Sequence, residues 1–229
     1  MKLYENVVIG NFLYGLGFAV CSRMESGAMP SMINLLQQTP ADRALSDVLL
    51  EFPGFVRLIE FKERSNKSTK ERARHTKLAA ALGTDDQMKG ISRDMHWFVE
   101  TSPSEKTVVS RIVPYLDAFP SDHSTHSFTK FIEDTAQAAV VGATSYGPEE
   151  QRKYLNLVKF CQGAESVGTG GLLIAIDREG NLRYAQLADM LQLRLQDKEV
   201  VTQIQLALEK AQEVLEKSLE RGCGRSLGR

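Results

Sequence analysis

Cysteine is scarce in this chain. Its 229 residues carry three, Cys21, Cys161 and Cys223, far apart and without a CxxC pair. A thiolate zinc site would have to be assembled from distant positions. Scattered thiols in odd number suit a reducing compartment better than a disulfide framework, so a cytoplasmic protein is expected. Long hydrophobic runs are missing as well. The apolar stretch from Val7 to Val20 follows Glu5 and Asn6 and is broken by Asn11 and three glycines. It falls short of the about 20 apolar residues that a membrane span needs, and it lacks the layout of a signal peptide. No membrane association is expected. Proline occupies only seven positions, and there is no internal repeat or low-complexity tract. Gly168-Thr169-Gly170-Gly171 lacks the Lys-Ser/Thr ending of a phosphate loop and introduces a strand pattern, so it reads as a turn. No nucleophile elbow or Ser-His-Asp pattern is found.

Excess charge of one sign is also lacking. There are 28 Lys and Arg against 29 Asp and Glu, a formal net charge of −1. That balance excludes a uniformly basic nucleic-acid coat and an acidic tail. What the chain does have is a hydrophobic fraction of 42%, enough for a real core.

Several elements can be read from local patterns. Apolar residues at 3, 7, 8, 12, 13 and 16 suit one helix face, with Gly15 and Gly17 at its close and Phe18–Cys21 leaving as a strand. Residues 25 to 45 read as an insertion with a short helix from Met32 to Gln38. Val48–Phe52 and Phe55–Lys62, joined by Pro53-Gly54, form a hairpin pattern. In its second run Glu60 and Lys62 share a face with Val56 and Leu58. Ser68-Thr69 caps a helix from Lys70 to Leu82 closed by Gly83, and Trp97–Thr101 reads as a strand. From residue 105 the pattern turns mainly helical: 105–118, 127–141, 148–162 and a final helix over 198–221. One further hairpin lies at 172–177 and 182–185. The expected division is 1–104 and 105–229, with the second part either an extension or the completion of one compact domain.

Asp47 opens the first hairpin strand, and Glu60-Phe61-Lys62 closes the second. Two carboxylates facing each other across paired strands can share one hard divalent cation through oxygen ligands. A lysine on the same face can orient a metal-bound water, and such a metal lowers that water's pKa.

Together with the opening pattern Tyr4-Glu5-Asn6…Phe12-Leu13…Gly17-Phe18, these residues resemble the PD-(D/E)XK nuclease superfamily over roughly residues 1 to 101. Ser46 stands where the family pattern commonly has proline. The resemblance implies a restriction-endonuclease-like α-β-β-β-α-β core, here followed by a mainly helical half that holds a hairpin. It implies Mg²⁺ or Mn²⁺ held by Asp47 and Glu60, with the Phe61 carbonyl as third ligand. Lys62 would position the attacking water, and Glu5 would assist near the metal. The implied activity is metal-dependent cleavage of DNA, or alternatively RNA, in restriction, phage defence or repair. A nuclease-fold subunit that binds nucleic acid or assembles a larger complex without cleaving is the other expectation.

Charge distribution supports a nucleic-acid partner. Seven cations and two anions lie between Lys62 and Lys77, a local excess of +5, which leaves −6 for the rest. Lys67, Lys70, Arg74 and Lys77 form one line that would follow a phosphate backbone. His75 in the same helix could touch phosphate. His96 reads as a strand-edge residue, and His123 and His126 as part of a polar loop. Val201, Ile204, Leu208, Ala211 and Leu215 make a heptad-like seam, suited to packing on the same domain or to a homodimer.

Overall fold

A computed structural model describes residues 4–25, 28–35, 46–64, 69–103, 108–119, 123–142, 145–161, 171–177, 182–187 and 217. The elements are α1 (Glu5–Cys21), β1 (Ala28–Leu35), β2 (Val48–Phe52), β3 (Phe55–Glu63), α2 (Lys70–Leu82), α3 (Asp86–Met95) and β4 (His96–Pro103). They continue as β5 (Val108–Pro114), a 3-10 turn (Tyr115–Asp117), α4 (Phe128–Val141), α5 (Pro148–Cys161), β6 (Gly171–Asp177) and β7 (Leu182–Leu187). The fold is mixed α/β. The seven strands of the described residues form one sheet in the order β5-β4-β3-β2-β1-β6-β7. β3 and β4 are parallel, and the other neighbours are antiparallel. The parallel pair requires a crossover, which α2 and α3 supply.

Both faces of the central strands are covered, so all of β2 and the first seven residues of β3 are buried. That explains why apolar residues occupy both faces of these strands, as in Leu49-Leu50 and Leu58-Ile59, which a sheet with one wet face would not give. On one face Ile9, Phe12 and Leu16 of α1 and Phe131 and Ala136 of α4 meet Leu50, Ile59 and Phe61. On the other, Leu78 and Leu82 of α2, Ile91 of α3 and Tyr154 of α5 meet Leu58 and Phe98. Phe12 stacks on Phe131 with centroids 5.7 Å apart.

Three of the expected elements differ. Phe18–Cys21 continues α1 as helix, because Leu16, Ala19 and Val20 stay on its buried face despite Gly15 and Gly17. Residues 28–35 are a strand in place of an insertion with a helix at 32–38. β1 pairs with β2 through Met32–Leu35 and with β6 through Ala28–Met32. Pro30 falls where the described pairing is to β6 alone, so its missing N–H need not break a ladder. Residues 108–114 are likewise a strand and not a helix. Val108, Val109, Ile112 and Val113 are β-branched, and the run pairs along its whole length with β4. Three strands after residue 105 thus join the same sheet, and that part of the chain is less helical than its patterning suggests. α4 and α5 match the helices expected at 127–141 and 148–162, and β6 and β7 pair antiparallel as the hairpin expected from 172–177 and 182–185 requires. Of the final helix expected over 198–221, Lys217 is described and is helical, and the rest lies outside the described residues.

The β2–β3 turn is pinned against the end of α4. Gly54 and Gly142 both have positive φ, 73° and 64°. A Cβ on Gly142 would come within 2.7 Å of the Pro53 carbonyl oxygen. Gly142→Ala therefore combines left-handed strain with a backbone clash. It is expected to lower stability by about 2 kcal/mol, read as a lower urea midpoint with an unchanged slope.

Candidate active site

The end of β3 gathers several buried carboxylates. β2 and β3 pair with Val48 opposite Ile59, so Asp47 comes opposite Glu60 where the ladder ends. Asp47 and Glu60 are 4% and 3% exposed. The Phe61 N–H, instead of continuing the ladder, donates to Asp47 Oδ2 at 2.7 Å. N–H and C=O of one extended residue point to the same side of a strand, so the Phe61 carbonyl is directed toward Asp47 as well. The Phe61 ring itself is core on the α1 face.

Glu60 and Lys62 point to the opposite face, toward α2. Lys62 Nζ lies 2.7 Å from Glu60 Oε1, and Ser46 Oγ donates to Glu60 Oε2 at 3.2 Å. Burial pushes the Glu60 carboxyl well above the ordinary carboxylate range. The negative charges of Asp47 and Glu71 push it the same way, and Lys62 offsets only part of the rise. Burial works against the Lys62 charge, yet Glu60, Asp47 and Glu5 outweigh it and hold the ammonium above its ordinary value. Glu5 reaches the site from the other layer. Its Oε1 accepts the Glu63 N–H at 3.0 Å, which ties the start of α1 to the end of β3.

Sequence patterning overlooked Glu71, counting it merely as an anion in a basic stretch. It is 6% exposed and shares a helical face with Leu78 and Leu82. That spacing, 71-78-82 on the apolar stripe of α2, was the available signal. The Tyr115 hydroxyl donates to Glu71 Oε1 at 2.5 Å, and Arg74 Nη1 lies 3.3 Å from Oε2. Tyr115 gave no signal, because its segment reads as helix. Burial, followed by the Glu71 charge, raises its phenol pKa and keeps the proton in place as a donor. Tyr115→Phe leaves this carboxylate one donor short. A loss of about 2 kcal/mol is expected, measured by urea unfolding near neutral pH.

The remaining expected site residues separate. Lys70 and Lys77 are exposed on α2. Arg74 is half-buried and directed inward onto Glu71, so it belongs to the carboxylate cluster more than to an outer basic line. Lys67 lies outside the described residues. His75 is not turned to solvent: its Nε2 is 2.9 Å from the Leu116 carbonyl oxygen, and its ring packs on Phe119. His96 is no strand-edge residue. β4 lies between β3 and β5, and His96 is 1% exposed, stacked on Tyr115 at 4.1 Å with Nδ1 2.9 Å from the Tyr154 hydroxyl. Burial lowers its pKa to about 3, so it is neutral in the folded protein.

Among the described residues no group of three or more His, Cys, Asp or Glu side chains is arranged to hold a metal ion. A hydrated magnesium-type ion asks for less. It keeps several waters and takes one or two carboxylates. Asp47, Glu60 and the Phe61 carbonyl offer an all-oxygen donor set of that kind, and the Glu60 carboxyl, raised first by burial and then by the charges of Asp47 and Glu71, is one that a bound cation would favour in its ionised form. The residues present therefore fit such an ion. Among the described residues no helix is long and apolar enough to cross a membrane. The chain matches no protein-family model, no curated protein and no solved structure.

Proposed function

We propose that the chain is a divalent-metal-dependent nuclease with a restriction-endonuclease-like core, acting on DNA. The observation that carries this reading is the buried Asp47–Glu60–Lys62 cluster at the end of β3. The path of the chain supports it too: a helix, three antiparallel strands, a helical crossover and a fourth strand parallel to the third. Asp47, Glu60 and the Phe61 carbonyl would hold Mg²⁺ or Mn²⁺. Such an ion, when bound, supplies an acidified water and positive charge beside a phosphoryl oxygen. Lys62, tethered to Glu60, orients the attacking water and adds charge near the scissile phosphate. Asp47 is held by the Phe61 N–H and Glu60 by Ser46, so neither carboxylate has to reorganise during the reaction. Lys70 and Lys77, exposed on the adjacent helix, suit contacts to the phosphate backbone that carry no sequence information.

Incubation of the purified chain with DNA and Mg²⁺ or Mn²⁺ tests the proposal, with RNA as a parallel substrate. EDTA-sensitive cleavage is expected. One observation favours the second reading, a binding or assembly subunit without catalysis: the Glu60 carboxylate is already engaged from both sides by Lys62 and Ser46. Salt-dependent binding without cleavage at any metal concentration would support that reading against the nuclease.

A further inference from the structure

α5 turns a phenylalanine outward on its polar side. Gln151, Tyr154, Leu155 and Val158 form the buried face of this helix. Lys153, Asn156 and Phe160, spaced by three and four residues, form the exposed one. Phe160 is 81% exposed. Single exposed apolar residues are ordinary on a protein surface. Phe160 is set apart by the charge around it. α5 packs beside α2, and Leu155 and Val158 share a core cluster with Leu78 and Leu82. The Lys77 charge reaches the Cys161 thiol, so the closing turn of α5 lies along the Lys77 flank of α2. Lys70, Arg74 and Lys77, at i, i+4 and i+7, line that flank. Glu71 is the one anion of α2 and is buried, while α5 has Glu149 and Glu150 in its first turn and no anion after it. The same flank leads to the carboxylate cluster, because Arg74 reaches Glu71. Lys77 follows Glu71 by six residues, about 9 Å along the helix axis.

Cations without a neighbouring exposed carboxylate suit a phosphate backbone, and an aromatic face among them suits a base. In a duplex the bases are already paired and stacked, so a surface that follows its phosphates has no use for an exposed ring. A single strand offers both partners. An aromatic platform beside a cationic track holds such a strand without reading its sequence. An apolar protein surface fits less well, because one ring gives it little area and the lysines beside it would lose water without gaining a partner. We propose that the surface shared by α2 and α5 binds an unpaired DNA strand, with Phe160 stacked on a base and Lys77 and Lys153 meeting nearby phosphates. The inference rests on the nuclease reading and names its substrate class: DNA with a single-stranded segment a few nucleotides from the scissile phosphate. A blunt duplex still binds through the cations, but it leaves the ring unused.

Fluorescence anisotropy of the full chain without metal, on labelled oligothymidine and on a blunt duplex of equal length, tests the proposal. The single strand is expected to bind at least about fivefold tighter at physiological salt. Phe160→Ala should weaken single-strand binding by about five- to a hundredfold and leave the duplex unchanged, whereas Phe160→Trp should bind as the parent does. Phe160→Leu keeps an apolar side chain without a π face and should behave like Phe160→Ala. The ring lies in solvent, so thermal melts of all three variants should match the parent. Lys77→Gln should weaken both ligands and reduce the salt slope for the single strand by about 0.7. Equal or tighter binding of the duplex overturns the proposal. So does single-strand binding that Phe160→Ala leaves intact, or that Phe160→Leu fully restores. A Phe160-dependent preference for the single strand without any cleavage in Mn²⁺ supports the strand-binding surface and removes the nuclease reading. Cleavage without that preference does the reverse.

Discussion

Lys62→Met is expected to reduce metal-dependent DNA cleavage by about 10²–10³-fold or more, the usual cost of removing a charge aimed at the transition state. Methionine keeps much of the aliphatic stem that packs at the end of β3 and removes only the ammonium, 2.7 Å from Glu60. Lys62→Arg should not rescue the rate, because a planar guanidinium cannot occupy the place of a compact ammonium. Glu60→Ala and Asp47→Asn should fall as far. Residues that act as one unit are grossly non-additive, so the Lys62→Met/Glu60→Ala pair should be scarcely slower than either single change. Single-turnover rates on a labelled duplex in Mn²⁺, with circular dichroism to establish folding, measure all of this. Wild-type rates in Lys62→Met would sink the site assignment, and independent additive losses would show that the residues do not act together. DNA binding measured without metal should survive these changes, since Lys70 and Lys77 lie on α2 and outside the cluster.

The second large effect links pH, metal and stability. The folded pKa of Glu60 is raised well above its ordinary 4.5 by burial and by the charges of Asp47 and Glu71. A group raised in this way binds more protons in the folded than in the unfolded state once pH exceeds the unfolded value. Its contribution to stability is complete below about 4.5 and declines as pH climbs to the folded value. A tenfold difference in proton affinity between the two states corresponds to about 1.4 kcal/mol. The metal-free protein should therefore lose Tm as pH rises through this window. Mn²⁺ should return it by taking the place of the proton. At a hundred times Kd a ligand stabilises by about 2.7 kcal/mol, which corresponds to about 5–10 °C for a domain of this size. The metal-induced rise should grow with pH, because binding releases the Glu60 proton. Glu60→Gln, neutral at every pH, should flatten the pH dependence and abolish most of the stabilisation by Mn²⁺. Equal Mn²⁺-induced rises in Tm for wild type and Glu60→Gln would place the ion elsewhere. Tyr115→Phe acts on the same cluster one step removed, since the lost hydroxyl bonds Glu71, whose side chain in turn hydrogen-bonds Glu60.

The cluster and the basic helix show where sequence patterning reached and where it stopped. Asp47, Glu60 and Lys62 were legible because strand alternation and a Pro-Gly turn together fix which residues share a face and an end. Their burial was not legible. It depends on α2 folding back over the sheet and on a 3-10 turn after β5 bringing Tyr115 onto Glu71. Arg74 looked like part of a line of cations; its pair with Glu71 is a local i,i+3 contact on α2, and what the tertiary fold adds is the burial of that face and the approach of Glu60 from β3. His96, beside the only tryptophan in the chain, looked peripheral, but the β3–β4 register sets it beside Leu58 in the middle of the sheet.

By itself the sequence determined the hairpin at Pro53-Gly54, the helices α2, α4 and α5, the β6–β7 hairpin and the alignment of Glu60 with Lys62. Each rests on periodicity, capping and turn chemistry within a dozen residues, where local backbone energetics suffice. Tertiary structure decided the strand at 28–35, the strand at 108–114, the length of α1 and the carboxylate partners. A segment of mixed propensity such as Ala28–Leu35 becomes a strand only when β2 and β6 stand on either side to take its hydrogen bonds. Its partners begin at Val48, opposite Leu35, and reach as far as Asp177, opposite Ala28. Pairing over such separations is set by how the whole sheet assembles, and no local pattern encodes it.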